Sequence, residues 1–486
     1  MAPPAAVPSG KFNTILVGGG AREHAMAVAL RKSPRLGTLY TTHPENPGLA
    51  SLAQPVDVPV SIREIYRLQQ FMEKKAINLV VIGPEDPLAE GFADKLASPT
   101  CLVFGPTMDG AQLEADKAWC KQLLRSASVP TAEGRVFSDA EAAKAYMESR
   151  CHDDPLIAAL LTSAEEHQDP QDRRKFIERE VWHKIELAKA YEKPRAGLPV
   201  IKATGLAKGK GVIVPSTLIE ALKAIDEIMV RKAFGDAGRK VLIEERLTGK
   251  EVSVLAITDG SSLLILPPAQ DHKRLRDGDA GPNTGGMGAF CPAGTLDDAA
   301  MRTIERDVLV PTLDALRRDG IAYKGVLYAG IMLTHAGPKV LEFNCRFGDP
   351  ECQAILARLD SDFLELVIAA CTGTLDQCEV RWKPETSCTV VIAAEGYPEK
   401  PKTGVIIHGI EEAAKVPGVT VYHAGTKRDA AGNTVTAGGR VLAVTGLGKD
   451  IKDARAKAYE ACGKVSFPGM VMRQDIAGAY GARSPA

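Results

Sequence analysis

The 486-residue chain has no CxxC pair and no Cys/His spacing of the kind that holds zinc. Its ten cysteines are scattered, which excludes a disulfide framework and fits reduced, intracellular thiols. No apolar run approaches the roughly 20 residues that a membrane-spanning helix needs. The opening MAPPAAVPSG has neither a positive start nor an apolar core, so it is not a signal peptide, and residues 1–10 read as a disordered lead. There is no Lys/Arg block and the net charge is −1, so the electrostatic footprint of a nucleic-acid binder is missing. No short-period repeat occurs. A cytoplasmic protein without nucleic-acid or membrane partners is expected.

Two phosphate-binding signatures are also missing. GxxxxGK[ST] is absent, and the amino-terminal turn LVGGGAREHA breaks the dinucleotide fingerprint. After Gly18 and Gly20, position 23 is Glu rather than Gly or Ala. A Gly loop at a helix start still suits a phosphate. Glu23 would repel a pyrophosphate but can bind a sugar hydroxyl or an amine, so a phosphosugar fits better than a dinucleotide. No catalytic triad or covalent nucleophile stands out either.

What is present is 45% apolar and 25% charged, ordinary for a globular protein of roughly two to four domains. Residues 11–131 alternate apolar strands, Gly or Gly-Pro turns and helices, as in ILVGGGAREHA and LVVIGPEDPLAEG, and predict a parallel α/β domain. Ligands bind such sheets at the carboxyl ends of the strands. Residues 132–383 form a second α/β region with Gly loops, and 384–486 an α+β domain ending in the helix IKDARAKAYEACGKV. Within the second region, 148–197 is dense in charge. Ile177, Val181, Ile185 and Ala188 recur there at helical spacing, which predicts a mostly helical, solvated insertion.

Four segments carry chemistry. In VIKATGLAKGKGVIVP a strand delivers Lys202, and Gly205, Gly209 and Gly211 alternate with Lys208 and Lys210 before another strand. That makes a flap of backbone N–H groups and lysines suited to polyphosphate. In VLIEERLTGKEVSVLAI a strand ends on Glu244 and Glu245 and another starts near Glu251. Such an edge can offer backbone groups to a purine and a carboxylate to a ribose. QDHKRLRDGDAGPNTGGMGAF, residues 270–290, is a long Gly-rich loop with basic groups, a second anion site. In KVLEFNCRFGDPECQ, Glu342 and Asn344 alternate and so share one strand face. They supply the hard oxygens that Mg²⁺ takes when it also holds phosphate oxygens and water. Arg346 adds a planar fork for a phosphate or carboxylate, and Asp349 follows after a Gly turn.

Taken in order, GGGAREHA, GPEDPLAEG, AQLEADK, KATGLAKGKGV, AFGDAG, IEERLTGKEVS, QDHKR, GPNTGGMGA, EFNCRFGDPE and HAGTK resemble the glycinamide ribonucleotide synthetase family of the ATP-grasp superfamily. The resemblance spans nearly all of the chain except 148–197. It implies an amino-terminal substrate domain, an ATP-grasp domain with a Gly-rich flap, and a carboxy-terminal α+β domain. It implies that ATP, glycine and 5-phosphoribosylamine give glycinamide ribonucleotide, ADP and phosphate through glycyl phosphate, in a monomer or small homo-oligomer. It further implies roles for residues. Lys117 and Lys202 contact the ATP phosphates under the Gly205–Val212 loop with Lys208, Gly209 and Gly211. Glu244, Glu245, Arg246 and Leu247 bracket adenine, Glu251 holds the ribose, and Arg274 and Asn283 touch the nucleotide. Glu342 and Asn344 bind Mg²⁺ (or Mn²⁺). Gly20, Arg22, Glu23, Asp271, Lys273, Thr284, Gly285, Gly286, Met287, Arg346 and Gly348 are for phosphoribosylamine or glycine. Lys202, Arg274, Arg346 and Asp349 are the expected catalytic set. By the same resemblance, the cyclising and formyl-transfer domains fused to some relatives are expected to be absent.

Overall fold

The computed structural model describes residues 10–207 and 210–478. The expected lead up to residue 9, and the flap positions Lys208 and Gly209, lie outside the described residues. The described residues fall into two compact units: those within 1–113, 125–129 and 250–486 form one, and those within 114–124 and 130–249 the other.

The larger unit contains three main sheets. The first is wholly parallel, in the spatial order Gln54–Pro55, Leu36–Thr41, Phe12–Val17, Leu79–Ile82, Leu102–Phe104. Phe12–Val17 and Leu79–Ile82 are almost continuously buried, as strands covered on both faces are. They pair Val17 with Ile82, and strand order reverses there, so Gly18 and Gly83 leave side by side at the sheet's switch point.

The second sheet is antiparallel: Leu263–Ile265, Lys250–Thr258, Gly325–Thr334, Gly337–Asn344. Its register sets Ser253 opposite Gly330 and Gly330 opposite Glu342, with Tyr328 opposite Asn344. By strand alternation, Glu251, Ser253, Tyr328, Glu342 and Asn344 therefore share one face. The register shifts between Gly330 and Ile331, whose partners are Glu342 and Val340, so a bulge falls just before Glu342. Bulges of this kind re-aim side chains next to functional sites. The third sheet runs Gln270–Asp271, Gly288–Cys291, Thr386–Ala393, Arg440–Gly448, Val419–His423 and packs Val390, Ile392 and Val444 against Ala454 and Ala458 of the helix Ile451–Cys462. This is the α+β architecture expected for the carboxy-terminal region.

Residues 270–290 differ from the expected loop. They fold into a ribbon in which Arg274–Arg276 pairs with Ala280–Asn283. The buried Arg473 pins it, bonding Asp279 at 2.7 Å and the carbonyl of Arg274 at 3.2 Å, while Asp277 accepts from the Gln474 N–H at 2.7 Å.

The smaller unit is built on the sheet Gly134–Phe137, Val241–Glu244, Val200–Ala203, Val212–Ile213. Residues 148–197 contribute the end of Ala140–Ser149 and the helices Pro155–Ala164, Pro170–His183 and Ile185–Glu192. The expected apolar stripe fails at its third member. Lys184 is extended (φ −113°, ψ 109°) and breaks the helix, so the phase resets. Ile185 is 69% exposed, and Leu187, Ala190 and Tyr191 turn inward instead. These side chains join Ile157, Leu160 and Ile177 in one core with Ile201, Ala203 and Ile243 of the sheet, so this stretch is packed rather than merely solvated.

A buried ion pair fastens these helices. Glu148 is fully buried and accepts from Arg174 at 2.8 and 3.1 Å and from the Tyr191 hydroxyl at 3.2 Å. Glu148→Ala would strip both Nη groups of Arg174 of their carboxylate, leaving only Glu141 on Nε, and would take the acceptor of the Tyr191 hydroxyl, so it is expected to destabilise this unit by about 2–3 kcal/mol in chemical denaturation. Lys175→Ala, which removes an exposed pair with Asp172, should cost only about 0–1 kcal/mol in the same measurement.

Candidate active site

At the switch point of the parallel sheet, Gly20 opens the helix Ala21–Leu30 and donates its N–H to Glu23 Oε2 at 2.6 Å. Arg22 Nε donates to Glu23 Oε1 at 2.6 Å, and Arg22 Nη1 to the carbonyl of Phe347 at 3.0 Å. Gly18 has φ +114°, and a Cβ there would stand 2.7 Å from Glu23 Cγ, so both its conformation and its closeness demand glycine. Glu23 thus occupies the helix start, where its charge suits the dipole, and its carboxylate is held by Gly20 and Arg22.

Beside this turn, Arg346 Nε meets Glu85 Oε2 at 3.0 Å, and its Nη2 lies 3.4 Å from Asn344 Oδ1. Burial alone would raise the Glu85 pKa. Arg346 and then Arg22 outweigh it and hold that carboxyl down at about 2. Asp349 is engaged through both oxygens: Oδ1 accepts from Gln353 at 2.7 Å and Oδ2 from Arg440 at 2.9 Å.

The shared face of the antiparallel sheet is acidic. Lys273 forms ion pairs with Glu251 and, at 3.8 Å, with Glu342. Glu351 Oε1 accepts from the Tyr328 hydroxyl at 2.9 Å and from Ser253 Oγ at 3.1 Å. Burial, with Glu351, Glu251 and Glu342 nearby, pushes the Asp271 carboxyl well above the usual range despite Lys273. Lys273 in turn is held charged: burial opposes it, but Glu251, Asp271 and Glu342 outweigh that. Among the described residues no group of three or more His, Cys, Asp or Glu is arranged to cage a metal. A carboxylate and an amide oxygen on one face, in this excess of negative charge, fit Mg²⁺ or Mn²⁺ completed by phosphate oxygens and water. Nearby, Arg274 pairs across the ribbon with Asn283 and donates to the carbonyl of Gly281 at 2.7 Å. Thr284 Oγ1 donates to the carbonyl of Lys273 at 2.8 Å, Gly286 N–H to Thr284 Oγ1 at 3.0 Å, and Met287 N–H to the carbonyl of His272 at 2.7 Å. Gly348 leaves room for the Glu351 carboxylate, which a Cβ would strike.

In the smaller unit, Glu244 is buried and carries two lysines, Lys202 at 2.6 Å and Lys121. Lys121 also donates to Thr131 Oγ1 and to the carbonyl of Ala132, both at 2.8 Å. Lys117 Nζ reaches the carbonyl of Gly205 at 3.2 Å. Gly205 N–H donates to the carbonyl of Ala237, and a Cβ at Gly205 would stand 2.7 Å from Ala237 Cα, which explains AFGDAG next to the flap. Gly211 closes the flap's base through its carbonyl to Ala203 N–H at 2.8 Å. Glu245 N–H is taken by the carbonyl of Glu133 at 2.7 Å. So the side chain of Glu244 and the N–H of Glu245 serve the protein, and the edge continues through Arg246, which is exposed, to Leu247, which is half-buried.

Sequence reasoning assigned no role to Lys121, Glu85, Glu351 or Arg440. Lys121 had a signal, since it lies four residues after Lys117 on one helix. Glu85 and Glu351 sit inside quoted motifs. Arg440 had none.

Two histidines tie the helix start to the strand Val419–His423: His24 Nδ1 accepts the His423 N–H at 2.9 Å. Burial, then the neighbouring His423, lowers His24 to about 3, and burial with Arg428 lowers His423 to about 4. Both sit below their ordinary value of 6.5, so the unfolded chain binds more protons as the pH falls. Stability is expected to drop between pH 6.5 and 5 by up to about 1.4 kcal/mol per pH unit per histidine. Urea titrations across that range test this, and His423→Gln should flatten the slope.

Comparison with known proteins bears on this geometry. Family models match in three parts: the phosphoribosylglycinamide synthetase N domain over residues 12–114, its ATP-grasp (A) domain over 176–352 and its C domain over 387–479. The chain is 44% identical over 467 residues to the phosphoribosylamine–glycine ligase of Rhodopirellula baltica, covering 96% of this chain and 97% of that protein. It is 42% identical over 466 residues to the trifunctional purine biosynthetic protein adenosine-3 of Gallus gallus, covering 95% of this chain and 42% of that protein. The crystal structure of the phosphoribosylamine–glycine ligase from Thermotoga maritima superposes with a TM-score of 0.73 at 30% identity, covering 96% of this chain and all of that one. The biotin carboxylase domain of Hydrogenobacter thermophilus 2-oxoglutarate carboxylase shares the fold, with a TM-score of 0.65 at 16% identity over 96% of this chain and 92% of that one.

Proposed function

The chain belongs to the phosphoribosylglycinamide synthetase family, and from that premise we propose how its own residues divide the work of the reaction. It is an ATP-dependent carbon–nitrogen ligase of purine biosynthesis that joins glycine to 5-phosphoribosylamine, giving glycinamide ribonucleotide, ADP and phosphate. The observation that weighs most for the division of roles is the acidic sheet face, where Glu342 and Asn344 stand beside Lys273.

Glycine's carboxylate is a poor electrophile because it has no good leaving group. In the reading we favour, one carboxylate oxygen attacks the γ-phosphorus of ATP and the bond to the β–γ bridging oxygen breaks, giving glycyl phosphate and ADP. The amine of phosphoribosylamine then attacks the acyl carbon, the C–O bond to phosphate breaks, and the nitrogen gives up a proton. Positioning and electrostatics carry most of such a reaction. Lys117 and Lys202 bind ATP phosphates. Glu244, with Lys121 as its second partner, keeps Lys202 in place, so the purine edge falls to the backbone of Arg246 and Leu247 next to Glu245. Glu251 takes ribose hydroxyls, and Arg274 and Asn283 touch the nucleotide. Lys208, Gly209 and Gly211 close the flap with Gly205. Glu342 and Asn344 would hold a Mg²⁺ or Mn²⁺ ion, which would supply neutralisation of phosphate charge. Arg346, anchored on Glu85, supplies positive charge for an anionic group of glycine or phosphoribosylamine. Gly20, Arg22, Glu23, Asp271, Lys273, Thr284, Gly285, Gly286, Met287 and Gly348 complete the walls for these two substrates, and Asp349 orders the turn beside them.

No helix among the described residues is long and apolar enough to cross a membrane, and the ten cysteines are free thiols. In this reading the enzyme works in the cytoplasm without nucleic-acid or membrane partners, as a monomer or small homo-oligomer.

The test is ADP release from ATP and Mg²⁺. It is expected to require both glycine and freshly made phosphoribosylamine and to fall by about 10²–10³ in Glu342→Ala. Release that proceeds without phosphoribosylamine would move the acceptor to another amine.

A further inference from the structure

The loop Thr284–Gly286 and the turn at Asp349 are held by Arg440, the first residue of the strand Arg440–Gly448, and by Tyr397, in the turn after the strand Thr386–Ala393. Gly285 is gripped on both of its backbone polar groups. Its N–H donates to Tyr397 Oη at 3.0 Å, and its carbonyl accepts from Arg440 Nη1 at 2.6 Å. The same Nη1 donates to the carbonyl of Asp349 at 2.6 Å, and Nη2 to Asp349 Oδ2 at 2.9 Å. One planar guanidinium therefore joins three oxygens on two segments that lie more than sixty residues apart in sequence. The fit is tight. A Cβ at Gly285 would stand 3.2 Å from Arg440 Cζ and 3.4 Å from Tyr397 Oη, and one at Gly286, which has φ +107°, would stand 2.6 Å from Pro350 Cδ. Asp349's other oxygen is held by Gln353, so the turn has little freedom once Arg440 is in place.

We propose that Arg440, supported by Tyr397, is a positioning residue for the ligation: it holds the Thr284–Gly286 loop and the Asp349 turn in one register, so that glycine and phosphoribosylamine meet a preformed site. This rests on the assignment of those two segments to glycine and phosphoribosylamine rather than to the nucleotide. Arg440 acts through backbone oxygens and Asp349, without touching a reacting atom. A lysine keeps the charge but is a point donor without the fork, so it cannot span the same three oxygens. A displacement near 1 Å in such a site costs about 10²-fold in rate.

The experiment uses the full chain with Arg440→Met, Arg440→Lys and Tyr397→Phe. Three readouts are taken on each: the KM for ATP, glycine and phosphoribosylamine, kcat, and the Kd of a non-hydrolysable ATP analogue. Both Arg440 variants are expected to lower kcat/KM for glycine or phosphoribosylamine by about 10²-fold. The KM for ATP and the Kd of the analogue should stay within about twofold, since no nucleotide contact is removed. Tyr397→Phe, which loses one hydrogen bond of about 1 kcal/mol, should show a roughly fivefold version of the same split. A parallel loss in nucleotide binding would show a general structural role, and unchanged constants would show no role; either overturns the proposal. Should Arg440→Met fail to fold, Arg440→Lys and Tyr397→Phe decide by the same split. An inactive wild-type chain would instead contradict the ligase reading itself.

Discussion

Too many carboxylates meet on one face of the antiparallel sheet, and the neighbourhood is organised around keeping them together. Glu251, Asp271 and Glu342 surround Lys273, and Glu351 adds its charge beside Asp271. Like charges withdrawn from water repel strongly unless paired, hydrogen-bonded or protonated, and this site uses all three. Lys273 pairs with Glu251 and Glu342, Tyr328 and Ser253 donate to Glu351, and Asp271 is pushed toward its neutral form. An arrangement so rich in negative charge gains from one more cation. Such a cation is also what lets a triphosphate approach carboxylates at all, which is the physical case for a divalent ion on Glu342 and Asn344.

The same logic runs through the smaller unit with the signs exchanged. Lys202 and Lys121 share Glu244. Burial lowers the Lys121 pKa, and Glu244 partly restores it. A single buried carboxylate thus keeps two ammonium groups apart and in place. At the parallel sheet, Arg22, Glu23, Glu85 and Arg346 alternate in sign, so each charge at the switch point has a partner.

What could be read from the sequence was local. Strand–Gly–helix turns, the alternation of Glu342 and Asn344, and the Gly spacing of the flap are each confined to about ten residues, and their periodicities are set by backbone geometry. The fold class followed from them. What could not be read was the partner of a charge when that partner lies far along the chain. Nothing near Asp349 announces Arg440, and nothing near residues 270–290 announces Arg473, which turns an expected loop into a ribbon. Glu244 looked like a strand-end acceptor until two lysines were seen to occupy it. Ile185 misled for a different reason: its helical spacing was regular, but the break at Lys184 changed the phase.

The central claim is that this charge arrangement serves to phosphorylate a carboxylate before an amine attacks it. The most direct measurement uses glycine labelled with oxygen-18 in its carboxylate, turned over with ATP, Mg²⁺ and phosphoribosylamine, with mass analysis of the released phosphate. Transfer of one labelled oxygen into each phosphate is the expected result, because the acyl C–O bond breaks when the amine attacks. Unlabelled phosphate alongside product formation would contradict the account.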